Sequence, residues 1–383
     1  MKHRSSLIVV AVLIIGLAMM PAAQAETVKI GAILAVTGPA SFLGGPEART
    51  LEMLVEECNA AGGINGKKVE MIIKDSGANP EKAISFAKQL IEEEQVVVVL
   101  GPSTSGETMK IKKIFEEAQT PLISCAAAEV IVNPVAQYVF KTPQKDSYAA
   151  IKIFETMKAM GISKIAVLAG NTGFGKAGRE QLLKLAPEMG IEVVEDEVYD
   201  KGSKDLSAVV AKLKANPDVQ AVVNWSIVPA QAIVAKNMRQ AGWDVPLFQS
   251  HGFGNIKYVE AAGAAAEGII FPAGRLLVAE QLPDSHPQKA LLMDYTASYE
   301  DQYKEAASTF GGHAYDAFAI AKTAIEKAGT DKAKIREAIE NIQNLPGTGG
   351  VFSFSPEDHN GLDIDSFEMI TVKDGKFVPF KGM

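Results

Sequence analysis

The chain has 383 residues, 47% of them hydrophobic, with two cysteines and a formal net charge of −8 at neutral pH. Its length is enough for two domains. The acidic balance speaks against nucleic acid or an anionic membrane surface as a partner.

The first residues set the expected compartment. Lys2, His3 and Arg4 form a basic start, residues 7–20 are apolar throughout, and Pro21 and Ala23-Gln24-Ala25 give a small-x-small cleavage pattern. This reads as a secretory signal peptide cut after Ala25. The apolar run is short for a membrane span. No cysteine follows it, so no lipid anchor is expected. The mature chain is expected to be soluble, exported and periplasmic.

After the signal, strands and helices alternate. Residues 28–38 (VKIGAILAVTG) read as an apolar strand, and a helix is expected from Pro46 to Ala61, stopped by Gly62-Gly63. Residues 68–75, 96–101 and 121–127 read as strands, with helices over 80–94 and 106–118. The pattern restarts with strands at 164–171, 191–200, 221–226, 246–252 and 268–274. Short apolar strands between amphipathic helices predict parallel sheets covered on both faces. A weak echo between 75–90 and 200–213 hints at a shared plan. The expected fold is α/β: two doubly wound parallel-sheet lobes, with ligands beyond the carboxyl ends of the strands. Cys58 falls within a predicted helix and Cys125 at a strand end, so both are expected to be free and buried.

The stretch GPSTSGET (101–108) nearly reproduces a phosphate-binding loop, but Glu107 stands where that loop needs a lysine. A carboxylate there repels outer phosphates. The rest of the device remains: a buried strand, a Gly-Pro turn, hydroxyls and a helix start. A helix N-terminus carries about half a positive charge, which suits one small carboxylate. Alternatively, Ser103, Thr104 and Ser105 merely cap the helix.

Enzyme signatures are missing. The glycines of AGNTGFGKAG (169–178) do not give G-x-G-x-x-G, and Gly101-Pro-Ser103-Thr-Ser105 lacks the last glycine of a nucleophile elbow. The four histidines after the signal form no metal-binding pattern. His286 and His359 lie in polar loops and are expected to be solvated, and His313 reads as structural. His251 ends a strand aimed at the cleft and is followed by Gly252 and Gly254. No cofactor, metal or enzymatic activity is expected.

From VKIGAILAVTGP through N-x-x-G-G-I-x-G and D-x-x-x-x-P-x-x-A to HAYDAFAIAKTAIEKAG and the closing VFSFSPEDHNG, the chain resembles the periplasmic leucine/isoleucine/valine-binding proteins. The resemblance implies a type I periplasmic binding fold with a three-crossing hinge. It places a first lobe at 26–146 and 275–365 and a second at 147–274 and 366–383, after a signal peptide at 1–25. It implies a monomeric solute receptor for an ABC importer that closes on its ligand and docks on permease subunits.

Residue by residue, the resemblance puts the carboxylate clamp on Ser105 with Thr104 beside it, and a second carboxylate loop on Ala126, Ala127 and Ala128. The family often has threonine at the position of Ala128. It places His251 where relatives carry an acid for the ligand's ammonium. A histidine cannot offset that charge, and an unpaired buried charge costs several kcal/mol. Either Asp146 or Glu129 substitutes, or the ligand has no ammonium. Leu43, Phe174, Trp225 and Ile227 are expected to make the cleft apolar, and Arg275 could add a cation. The favoured ligand is a small hydrophobic carboxylate, aromatic or branched. A branched-chain amino acid is the alternative, and a ligand-sensing receptor protein is the reading from another class.

Overall fold

The computed structural model describes residues 27–382, so the expected signal peptide and its cleavage site lie outside the described residues. Five strands form the first sheet: β1 (Val28–Leu34), β2 (Val69–Asp75), β3 (Val98–Leu100), β4 (Leu122–Ser124) and β5 (Val139–Lys141). All pair in parallel, in the order β2-β1-β3-β4-β5. The helices between them are α1 (Ser41–Ala60), α2 (Pro80–Lys88) and α3 (Ser105–Glu117). Two apolar clusters cover this sheet, one built on Ile111, Phe115 and Leu90, the other on Leu51, Phe318 and Ile335. A sheet buried on both faces explains the unbroken apolar run at 96–100, which has no period-two pattern.

The chain then enters a second sheet through α4 (Asp146–Ala159), β6 (Lys164–Gly170), α5 (Gly173–Glu188), β7 (Glu192–Tyr199), α6 (Ser207–Ala215), β8 (Ala221–Trp225), α7 (Ala230–Gln240), β9 (Leu247–Gln249), α8 (Ile256–Ala262) and β10 (Ile270–Ala273). It returns to the first lobe with α9 (Lys289–Tyr303), α10 (Thr309–Ala328), α11 (Lys332–Glu340) and a short hairpin, β11 (Leu345–Pro346) and β12 (Val351–Phe352). There α10 packs along α1. The last strands, β13 (Glu368–Lys373) and β14 (Lys376–Pro379), add antiparallel to the second sheet, giving β14-β13-β10-β9-β8-β6-β7. The fold is therefore the expected pair of α/β lobes, joined where the chain passes between them three times.

Several expected boundaries move. The strands at 28–38, 121–127 and 246–252 stop early, because their last residues turn into the cleft loops. The first helix begins at Ser41, so Pro46 lies inside it rather than at its start. A proline within a helix removes one i→i−4 hydrogen bond, here the one to the Phe42 carbonyl. Cys58 and Cys125 are both free and buried. His359, expected in solvent, is buried: its Nδ1 lies 2.9 Å from the Val139 carbonyl and its ring stacks on Phe140 at 4.1 Å. The polar loop around it folds back over β5, which sequence composition does not reveal.

Candidate functional site

The carboxyl ends of both sheets face each other, and the lobes are closed together. Leu43 of α1 and Phe310 of α10, both from the first lobe, pack into the hydrophobic cluster of the second. Between the lobes lies a cavity of about 20 Å³, lined by Leu43, Ser105, Ala126, Phe174, Ile227 and His251, among others. A space of that size holds one water-sized body. A second cavity of about 160 Å³ opens at the cleft mouth beside Thr104, Glu107 and Lys201. Ser105, Phe174 and Ile227 line both. An organic ligand therefore needs the lobes to part or these side chains to move. A larger groove, about 660 Å³, lies at the amino ends of β9 and β10, under Phe380. It is on the wrong end of the sheet for a ligand site in such a fold.

The loop at 101–108 now has a physical account. Gly101 has φ +87, and a Cβ there would stand 2.3 Å from the Ile33 carbonyl, so the turn needs glycine for packing. Thr104 is the N-cap of α3; its hydroxyl accepts the Glu107 N–H at 3.4 Å and donates to the Glu107 carboxylate at 2.6 Å. The residue that replaces the P-loop lysine is thus the third helical residue of a Thr-x-x-Glu cap, a pattern readable in the sequence. Glu107 does not point away from the cleft. It is buried and borders the mouth cavity.

Ser105 opens α3, and its hydroxyl accepts the backbone N–H of Ala128 at 3.2 Å, joining the two expected carboxylate loops. Across the cleft, α5 begins at Gly173, capped by Thr172. A Cβ on Gly173 would stand 2.7 Å from the Gly106 nitrogen. Two helix N-termini thus meet almost backbone to backbone. Their partial positive charges repel, and an anion lodged beside both, in the cavity they line, relieves that repulsion.

The remaining expected residues divide into two layers. Leu43, Ala126, Phe174, Ile227 and His251 reach the inner cavity. Trp225, Asp146 and Ala128 lie behind it. Trp225 is fully buried against Gly178 of α5, with Phe174 and His251 rings at 5.7 and 5.5 Å. Glu129 caps the start of α4, accepting the Ser147 N–H at 3.2 Å. Arg275 lies by the second crossing, donating to the Asp365 carbonyl at 2.6 Å. Ser103, Cys125, Phe310 and His313 also line the cavity. Phe310 and His313 come from α10, far along the chain, and only its docking on α1 brings them here.

The electrostatics of the inner cavity are those of uncharged groups. Burial and the nearby Lys141 push the His251 imidazole well below its ordinary value, and the same causes bring His313 down to about 3. Burial raises Asp146, opposed by the Lys141 ammonium. Beneath the cavity floor, Glu47 is fully buried, hydrogen-bonded by the Ser103 hydroxyl and pushed up by burial to about 8. Among the described residues no cluster of His, Cys, Asp and Glu could hold a metal ion, and no helix is long and apolar enough to cross a membrane.

Known proteins share this architecture. A family model described as periplasmic binding protein matches residues 27–376. A leucine-, isoleucine-, valine-, threonine- and alanine-binding protein of Pseudomonas aeruginosa is 30% identical over 350 residues, 90% of each chain. The crystal structure of an extracellular ligand-binding receptor from Rhodopseudomonas palustris superposes with a TM-score of 0.87 at 27% identity, covering 92% of this chain and 99% of that one. A branched-chain amino acid transporter substrate-binding protein from Streptococcus pneumoniae, solved with isoleucine, gives a TM-score of 0.80 at 27% identity over 92% of this chain and 98% of that one.

Proposed function

The chain belongs to the branched-chain amino acid family of periplasmic binding proteins, and from that premise we propose that it captures a small apolar carboxylate between its lobes for an ABC importer. The family is one of binding proteins rather than enzymes. The observation that carries the reading is the meeting of two helix N-termini, at Ser105-Gly106 and Gly173, beside Leu43, Phe174, Ile227 and Phe310. The helix ends suit a carboxylate, and the side chains suit an aliphatic or aromatic body. Ligand contacts to both lobes bias the hinge toward closure, and the closed form docks on a membrane permease. Export to the periplasm through a cleaved signal peptide, and a monomeric state, belong to the same proposal.

The named relatives support a branched-chain amino acid as the ligand. One observation favours a second reading, an aromatic or branched acid without an amino group: no carboxylate is among the residues lining the inner cavity. A thermal-shift screen of the ligand-stripped protein tests both. A ligand at a hundred times its dissociation constant adds about 2.7 kcal/mol of stability. Stabilisation by leucine, isoleucine or valine supports the first reading, and stabilisation only by benzoate-type or branched aliphatic acids supports the second. No shift with any of them contradicts the proposal.

A further inference from the structure

An amino-acid ligand brings an ammonium into a cavity whose lining offers no carboxylate. The buried acid beside His251 is Asp146, at the start of α4. Its Oδ2 accepts the Glu129 N–H at 3.3 Å, while Oδ1 has no hydrogen-bond partner among the described residues. Oδ1 stands 3.5 Å from Nε2 of His251, and the His251 ring lines the cavity. Both imidazole nitrogens are buried and without hydrogen-bond partners among the described residues. Just behind, Lys141 is fully buried at the end of β5, its ammonium donating to the carbonyls of Pro143 and Gln144 at 2.5 and 3.0 Å.

We propose that Asp146 and His251 form a relay that replaces the missing acid: ionised Asp146 holds the Nε2–H of a neutral His251, and the Nδ1 lone pair accepts the ligand's ammonium. The inference rests on the amino-acid reading above. His251 is the contact residue, and Asp146 is a positioning residue that fixes its tautomer and supplies negative charge from the second layer. Lys141 balances Asp146, and the bound zwitterion balances itself, so the buried region stays neutral. If Asp146 instead keeps its proton, it donates to Nε2. The nitrogen left for the ligand is then Nδ1–H, which repels an ammonium and suits an oxygen.

The proton on Asp146 therefore selects between the two ligand classes. The groups that act on it are Lys141 from β5, Glu129 from the turn after β4, and His251; His313 of α10 acts on His251, and Lys145 and Asp358 act on Lys141. Burial raises Asp146. With Lys141, which burial lowers, holding its own proton as the relay requires, binding an ammonium ionises Asp146 and releases a proton, so leucine affinity climbs with pH, by at most about tenfold per unit.

Leucine and 4-methylpentanoate differ only in the amino group, and titration calorimetry on the ligand-stripped protein compares them. The wild type is expected to prefer leucine. Asp146→Asn is expected to cost leucine about tenfold or more while leaving 4-methylpentanoate nearly unchanged. His251→Glu is expected to restore a direct acid, so that Asp146→Asn added to it no longer costs leucine that factor. Equal losses for both ligands in Asp146→Asn, or a wild type that prefers 4-methylpentanoate, overturn the relay and leave the import reading standing. Binding of neither ligand or of any other panel member overturns both. Should Asp146→Asn not fold, the wild-type pH profile decides: rising leucine affinity supports the relay, and a flat profile ends it.

Discussion

The side-chain amide of Asn255, in the second lobe, donates to the backbone carbonyl of Phe42, in the first, at 2.9 Å. That carbonyl is free because Pro46, four residues on, has no N–H to give it. A break inside α1 thus becomes a latch between lobes. Around it, the Thr309 N–H and hydroxyl both reach the Gly254 carbonyl, at 3.1 and 3.2 Å, and Lys257 pairs with Glu305 at 3.1 Å. The Phe42 and Tyr258 rings meet edge to face at 5.3 Å. None of these residues lines the inner cavity, so they weight the closed state without reading the ligand.

Asn255 also caps α8, its side-chain oxygen accepting the Lys257 N–H at 3.0 Å. Asn255→Asp keeps that cap and replaces the donor with a repelling oxygen. Ligand affinity is expected to fall roughly threefold to tenfold, the worth of one net hydrogen bond. Thermal stability without ligand should hold, and small-angle scattering should find the unliganded protein more open. Unchanged affinity would remove the latch from the closing equilibrium.

Gly173→Ala places a methyl group 2.7 Å from the Gly106 nitrogen, but only when the lobes are closed. Affinity for every ligand is expected to drop by about tenfold or more, since the closed state alone pays the overlap, of about 1–3 kcal/mol. A denaturant titration of the unliganded protein should stay near wild type. A loss of stability with affinity intact would mean that the glycine serves α5 rather than closure.

Thr104→Val removes the cap of α3 and keeps the side chain's shape. The expected cost is about 1 kcal/mol of stability, measured by urea unfolding, with ligand affinity nearly unchanged. A large affinity loss at wild-type stability would instead put the Thr104 hydroxyl on the ligand.

Glu47 gives a pH test. Its carboxyl is raised from 4.5 to about 8 by burial. A raised pKa means the folded state holds the proton more tightly. Its contribution is therefore complete below pH 4.5 and is lost as pH rises through about 8, at up to about 1.4 kcal/mol per pH unit. Glu47→Gln, which cannot ionise, should remove that slope. The variant gains on wild type as pH rises, when unfolding is followed across that range. Parallel curves for the two proteins would show that Glu47 does not titrate with folding.

The sequence by itself determined the lobes and the loop. Apolar runs such as 96–100 and helix-spaced runs such as 80–94 depend on local periodicity, which follows from strand and helix geometry. The Thr104-x-x-Glu107 cap is likewise local, written in four consecutive residues. Ser105 and Phe174 were named from the family positions they match, and His251 from its strand end as well; all three line the inner cavity. What tertiary structure alone decided is depth and neighbourhood. Trp225 and Asp146 occupy the second layer because Gly178 lets the indole settle on α5 and because α4 begins behind the histidine. Phe310 and His313 reach the cleft only because α10 lies along α1. His359 is buried because its loop crosses β5. These placements depend on contacts between residues tens to hundreds of positions apart, and no local pattern of side chains encodes such a distance.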